Sequence, residues 1–437
     1  MTSFWIMRWA LKALGGVGAV VAVGLGLVYQ FQEKLLYLPR IPGVPNEFAY
    51  LPDRFGLEYE DIYITAKDGI RLHSWMMWPK GWSKQKRHSR PTVLFFQENA
   101  GNMSFRLPFL RLVAHHLHCQ VFAPSYRGYG LSQGKPNEPG LQMDAQAALD
   151  YLTSDSAVNK NNIVLFGRSL GGAVAFWLAA ANPGIVNSLI VENTFWSIEA
   201  VVGKVMPFLA PFVGPGRLCN FLIRNRWCND EAIPKLGQLP VCLLSSLQDE
   251  MLPPEHMERM HKMLLAQQGR VTWVPLQAGH MDAYETAAQD YWPAVAKFTQ
   301  QYAHSLEAEP ADDQNDAGVQ EAVQATNAGA KPPSAVGPFT DGSSRPSQMH
   351  DEQSAGAALQ APGHEYKKEL SSSELCRPSD LYILLEQFQC MRAKYVDFPP
   401  DGLGRETGWG CTHELRLIVD EPLRQGSAGH QTQPSCF

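Results

Sequence analysis

Ser169 stands midway between two glycines in Gly167-Arg-Ser169-Leu-Gly171. The apolar run at 163–166 precedes this stretch, and an alanine-rich apolar run at 173–181 follows it. Strand, G-x-S-x-G and helix, in that order, describe a nucleophile elbow, a turn tight enough to lift a serine hydroxyl above a sheet edge. The glycines let strand and helix pass close to each other. The first N–H groups of the helix then lie near the place where an oxyanion develops when the serine attacks a carbonyl. The chemistry implied is acyl transfer to a serine.

Such a serine needs a base, and the base needs an acid to orient it. Chains with this elbow carry the three in the order serine, acid, histidine. Asp249 follows the apolar run beginning at Val241, and His280 follows the run beginning at Val271, with Gly279 allowing a tight turn. Of thirteen histidines, His280 alone stands after the last strand-like run and before the terminal helix-like run. Glu250, longer than its neighbour Asp249, is expected to point to solvent. His256 and His261 are expected on the surface of a helix. An oxyanion hole also needs an N–H from the loop after the third strand. The amides of Leu170 and Asn99 are the candidates, although Asn99 equally suits a plain turn. The eight cysteines show no C-x-x-C spacing and no zinc-like Cys/His cluster, so no metal or other cofactor is expected. Cys219 and Cys228 are expected as free thiols, with a bridge open to them only in an oxidising compartment.

Six segments must position these groups as strands of a mostly parallel sheet, at 91–96, 119–124, 163–166, 187–191, 241–246 and 271–275. The runs at 91–96 and 163–166 are continuously apolar, as strands buried on both faces are. Ahead of them, 59–65 and 70–78 read as a hairpin around an Asp68-Gly69 turn. Helices are expected at 105–117, 142–152, 255–267 and 285–302. Strands alternating with helices define an α/β fold with helices on both sheet faces.

At the N-terminus, 13–28 lacks charged or strongly polar residues, and extension to 31 gives enough length for a membrane span. Trp5 and Trp9 precede it and Tyr29 and Phe31 follow, as interfacial anchors do. A cleaved signal peptide is the competing reading, but the residues after the apolar run lack a small-residue cleavage site. The expected division is a flank at 1–12, an anchor at 13–31, a catalytic domain at 32–304 and a tail at 305–437. Within the domain, 195–239 is an insertion expected to form a lid. Its apolar run at 201–213 is broken by prolines and suits an acyl-chain pocket, bilayer contact or ordinary packing equally. Phe195 and Trp196 are the candidates for lining the substrate pocket. The tail from 307 to about 361 is too poor in large apolar residues to fold, and 379–396 reads as one amphipathic helix. The net charge of −6 gives no reason to expect nucleic acid as a partner.

Five blocks together resemble the Bem46-like branch of the α/β-hydrolase superfamily: Glu98-Asn-Ala-Gly-Asn102, Ser125-Tyr-Arg-Gly-Tyr-Gly130, Gly167-Arg-Ser-Leu-Gly-Gly172, Glu192-Asn-Thr-Phe195 and Gln248-Asp-Glu-Met-Leu-Pro-Pro254. The resemblance implies the α/β-hydrolase fold, an eight-stranded, mostly parallel sheet, and a serine-hydrolase triad of Ser169, Asp249 and His280. It also implies a role in polarity or growth control, which a non-catalytic scaffold of this fold would serve too. Related membrane-associated hydrolases remove acyl chains from protein thioesters. The implied partners are therefore the lipid bilayer, through the N-terminal helix, and an acylated lipid or protein as substrate. Many hydrolases carry His-Gly where this chain has Gln97-Glu98, and a Glu98 carboxylate near the forming oxyanion is unfavourable unless its side chain turns away. The one glycosylation sequon, Asn102-Met-Ser104, lies in the oxyanion loop, where a glycan would block the site. That points to a catalytic domain on the cytosolic side of the plasma membrane or an endomembrane, against a slight charge bias.

Overall fold

The computed structural model describes residues 2–302, Pro45 excepted. The tail expectations, including the helix at 379–396, lie outside the described residues. The eight strands are β1 (Leu57–Thr65), β2 (Arg71–Pro79), β3 (Thr92–Phe96), β4 (Gln120–Pro124), β5 (Ile163–Arg168), β6 (Ser188–Glu192), β7 (Val241–Ser246) and β8 (Val271–Leu276). They form one sheet in the order β1-β2-β4-β3-β5-β6-β7-β8. β2 pairs antiparallel with both β1 and β4, and every later pairing is parallel. The hairpin turn is where the sequence places it: Gly69 adopts φ +83°, a conformation that costs glycine little.

The helices are α1 (Thr2–Leu36), α2 (Lys84–Ser89), α3 (Leu107–His116), α4 (Glu138–Ser154), α5 (Leu170–Ala181), α6 (Ile198–Val205), α7 (Asn229–Ala232), α8 (Glu255–Ala266), α9 (Ala283–Thr286) and α10 (Ala288–Tyr302). The terminal helix expected at 285–302 is thus two, separated at Ala287, with Trp292 Nε1 donating to the Tyr284 carbonyl across the break.

Alternation along the central strands builds two apolar layers at once. Leu94, Phe96, Leu165, Leu189, Val191 and Leu243 belong to the core that holds α4, α5 and α8. Val93, Phe95, Val164, Phe166, Ile190 and Leu244 belong to the opposite core, with α3 and α10. A parallel sheet buried on both faces needs such continuous apolar strands.

The insertion at 195–239 is irregular, as its prolines require. α6 ends before Pro207, which opens a 3-10 turn, Pro207–Leu209; another, Leu218–Leu222, precedes α7. α1 includes a stretch, Gly18–Leu36, that is long and apolar enough to cross a membrane, and none of it is buried.

The β5–α5 turn imposes the tightest steric constraint on the site. Ser169 adopts φ 52° and ψ −119°, a strained combination for a residue with a Cβ. A Cβ on Gly167 would run into the Gly171 carbonyl, and one on Gly171 into the Phe96 carbonyl. Backbone on both sides cannot yield as a side chain would. Gly171→Ala is expected to destabilise the fold by about 3 kcal/mol, read as a lower urea midpoint with an unchanged denaturant slope.

Candidate active site

The elbow lifts Ser169 at the C-terminal end of β5, the edge where open α/β sheets gather their ligands. His280 arrives from the turn after β8 and Asp249 from the turn after β7. The Ser169 Oγ is 3.0 Å from His280 Nε2, and His280 Nδ1 is 2.7 Å from Asp249 Oδ2. The carboxylate only accepts, so Nδ1 carries the ring proton and Nε2 is left to accept from the serine hydroxyl. Asp249 is itself held by its other oxygen, which accepts from the amides of Met251 and Leu252 at 2.9 and 2.7 Å. Burial disfavours charge on His280, but the Asp249 carboxylate, with Glu250 assisting, overrides it and raises the imidazole pKa above its ordinary value.

Glu250 corrects a sequence expectation in part. It is exposed, as expected, yet its Oε2 accepts from the His280 amide at 3.0 Å and so holds the histidine turn. The surface reading of His256 is also corrected: the ring is half-buried and its Nδ1 accepts from the Trp196 amide at 3.0 Å. Burial keeps this imidazole below its ordinary pKa, which suits an acceptor. His261 stacks on Trp273 at 4.8 Å between centroids instead of standing free.

The Leu170 amide opens α5, directly after the serine. The Asn99 amide lies in the loop after β3. Neither donates a hydrogen bond within the described residues. Asn99 also joins the N-terminal segment to the domain: its carbonyl accepts from the Leu38 amide at 2.9 Å and its Nδ2 donates to the Leu36 carbonyl at 3.0 Å. Phe195 and Trp196 lie at the root of the lid with buried side chains, not at an open mouth. The Arg259 guanidinium covers the Trp196 ring at 4.0 Å, and Asn229 Nδ2 donates to the Phe195 carbonyl.

Glu98 is buried in a charge pairing, and the partner set was not visible in the sequence. Its carboxylate meets Arg106 Nε at 2.8 Å and Arg168 Nη1 at 3.1 Å. Arg168 also pairs with Glu192 at 3.0 Å, and Tyr291 donates to the other Glu192 oxygen at 2.6 Å. Burial would raise the Glu98 carboxyl, but Arg106 and Arg168 together hold it below its ordinary value. Two guanidinium groups balance two carboxylates, all buried, so no uncompensated charge faces the serine. Arg168 further donates to the Met281 carbonyl at 3.2 Å, beside the histidine. Asn193, with φ 47°, completes the clamp through Nδ2, which donates to Ser246 Oγ and to the His280 carbonyl, both at 2.9 Å. The signal for these residues was present only as neighbourhood. Arg168 precedes the serine, and Glu192-Asn193 ends β6, but nothing local states which charge meets which.

The comparisons with known proteins agree with this architecture. Residues 91–212 match the family described as the alpha/beta hydrolase fold. The chain is 43% identical over 295 residues to the alpha/beta hydrolase domain-containing protein WAV2 of Arabidopsis thaliana, covering 66% of this chain and 94% of that one. The chain belongs to the Bem46-like α/β-hydrolase family. Protein bem46 of Schizosaccharomyces pombe is 39% identical over 239 residues, which cover 55% of this chain and 77% of the relative. A relative from Saccharomyces cerevisiae, described as an uncharacterized membrane protein, is 32% identical over 296 residues, 67% of this chain and 98% of its own.

In this Bem46-like hydrolase the Glu98 pairing has a measurable consequence. Glu98→Gln takes the carboxylate that pairs with Arg106 while Arg168 keeps Glu192, so the buried cluster carries one positive charge in excess, at an expected cost of roughly 3–5 kcal/mol in urea unfolding at neutral pH. The Glu98 pKa is depressed on folding, so its contribution is complete above the unfolded value and is lost as pH falls through the folded one. The gap between wild type and Glu98→Gln should therefore narrow as the pH drops below 4.5, the ordinary glutamate value.

Proposed function

We propose that this chain is a membrane-anchored serine hydrolase that cleaves acyl esters or thioesters of lipids or proteins. The observation that carries the reading is the unbroken hydrogen-bonded line from Ser169 through His280 to Asp249. In the reaction, Ser169 Oγ attacks the acyl carbonyl while His280 Nε2 takes its proton, and Asp249 stabilises the imidazolium that forms. The carbonyl oxygen becomes an oxyanion held by the Leu170 and Asn99 amides. Collapse of the intermediate breaks the carbon–oxygen or carbon–sulfur bond, and His280 returns the proton to the departing alcohol or thiol. Water, activated by the same imidazole, then frees the acid from Ser169.

Phe195 and Trp196 are assigned to the acyl side. Thr194 Oγ1 donates to the Ser169 carbonyl at 2.7 Å, which keeps the two aromatic residues close behind the nucleophile. The anchor is assigned to 13–31 within α1, and the domain to 32–304. A cytosolic active site is supported by Asn102: it is buried, its Oδ1 accepts from the amide and hydroxyl of Ser104, and its Nδ2 donates to the Asn46 and Glu47 carbonyls. The sequon is thereby sealed into the fold. Full protection of the domain from protease in sealed vesicles would place it on the lumenal side instead.

Ser169→Ala is expected to abolish labelling by a fluorophosphonate and all ester turnover, with folding intact. Labelling that persists would put the nucleophile elsewhere. A Ser169→Ala chain that restores every growth phenotype of a deletion would favour a scaffold role over catalysis. Because His280 must be neutral to act as base, kcat/KM is expected to fall as pH drops through its raised pKa, which lies above the ordinary histidine value of 6.5. Asp249→Asn removes the charge that raises it. This variant should move the acid limb to lower pH and cut kcat by roughly 10⁴-fold.

A further inference from the structure

The two most exposed large apolar side chains among the described residues are Leu218 and Phe221, at 93% and 78%. Both lie on the 3-10 turn Leu218–Leu222 of the lid, three residues apart. That spacing puts them on one side of a 3-10 helix. Nothing in the described fold covers them, whereas the residues immediately after them are tied tightly to the end of α1. Gln32 Nε2 donates to the Leu222 carbonyl at 2.9 Å, and the Arg224 amide donates back to Gln32 Oε1 at 2.7 Å. The Arg224 guanidinium pairs with Glu33 and stands 4.7 Å from the Tyr29 ring centroid. Beneath them, Trp227 Nε1 donates to Tyr37 Oη at 2.9 Å, and Tyr37 Oη donates to Asn225 Oδ1 at 3.0 Å.

These bonds fix where the turn stands relative to a bilayer. The anchor assigned to 13–31 ends just before Gln32, Glu33 and Lys34, the polar residues near the C-terminal end of the Gly18–Leu36 stretch, and these mark the level at which α1 leaves hydrocarbon. A turn bonded to Gln32 stands at that same level. The charge of the lid agrees. Residues 195–239 carry five lysines and arginines against three acidic residues, in a chain whose net charge is −6. A cationic, apolar-tipped element beside an emerging helix suits an interface with anionic headgroups.

We propose that the Leu218–Leu222 turn is a membrane-contact element, with Leu218 and Phe221 inserted into the leaflet from which α1 emerges. The lid then faces the bilayer, and the acyl chain reaches Ser169 from the membrane, not from bulk water. This deepens the anchored-hydrolase reading and rests on it. The partner is the lipid leaflet itself; a soluble acyl carrier would have no need of the α1 tether.

The test uses the full chain in phosphatidylcholine vesicles doped with phosphatidylserine. A photo-crosslinking benzoylphenylalanine replaces Leu218, Phe221 or, as a control, exposed Ile185, which precedes β6 at the opposite sheet edge. Lipid adducts at 218 and 221 with none at 185 are expected. Absence of adducts at 218 and 221, or equal adducts at all three positions, overturns the proposal. Carbonate extraction of the same vesicles reads the anchor separately. A chain that resists extraction yet gives no adduct keeps its anchor and loses the lid contact. A chain that is extracted loses both. Fluorophosphonate labelling of Ser169 reports the chemistry independently of either result. As a second readout, Leu218→Ser with Phe221→Ser should lower kcat/KM about tenfold on a vesicle-borne long-chain ester. Turnover of a water-soluble short ester should be unchanged; equal loss on both substrates counts against the proposal.

Discussion

Arg168 must be neutralised where it is buried, and much of the site is arranged around that requirement. A guanidinium cannot shed its proton inside a protein, so burial demands carboxylates within reach. Glu98 supplies one from the loop after β3 and Glu192 the other from the end of β6. Arg106, paired with Glu98, supplies the second positive charge that balances the two carboxylates, and the Phe109 ring lies 4.4 Å from the Arg168 guanidinium. These contacts join the loop bearing Asn99, the strand bearing Ser169 and, through the Met281 carbonyl, the turn bearing His280. A buried network of this kind adds little net stability compared with apolar packing. Its role here is geometric, because the segments bearing Asn99, Ser169 and His280 are all fastened to this one cation.

The same network makes Glu98 compatible with the place it occupies. A free carboxylate beside a developing oxyanion would oppose the reaction by Coulomb repulsion. Paired with two guanidinium groups, it becomes part of a balanced cluster, and the Leu170 and Asn99 amides remain unused by the fold. Departure from the His-Gly pattern is thus accommodated by residues elsewhere in the chain.

A second seam joins α1 to the lid. Gln32, Glu33 and Tyr37 at the end of the helix bond to 222–227, about 190 positions further on. Asn99 holds the same helix end through the Leu36 carbonyl. The segment that enters the domain from the helix is therefore bonded both to 222–227 and to the loop bearing Asn99.

The central strands, the elbow and the places of Asp249 and His280 were legible in the sequence because each is written locally. β3 and β5 are continuous apolar runs, the elbow needs glycine at fixed offsets from Ser169, and the acid and base follow the last two strands. The limits were equally physical. His256 read as surface because a helix position alone does not say that the Trp196 amide will approach it. Glu250 read as solvent-directed because its bond to the His280 amide depends on how two turns fold over each other. The pairing of Glu98 with Arg106 and Arg168, and of Gln32 with the lid, joins residues whose separation along the chain carries no period. Local spacing thus determined which segments are strands and which side chains could react. Only the packed tertiary structure decided which buried charges neutralise one another, because that depends on distances through space, which side-chain packing sets and local spacing does not.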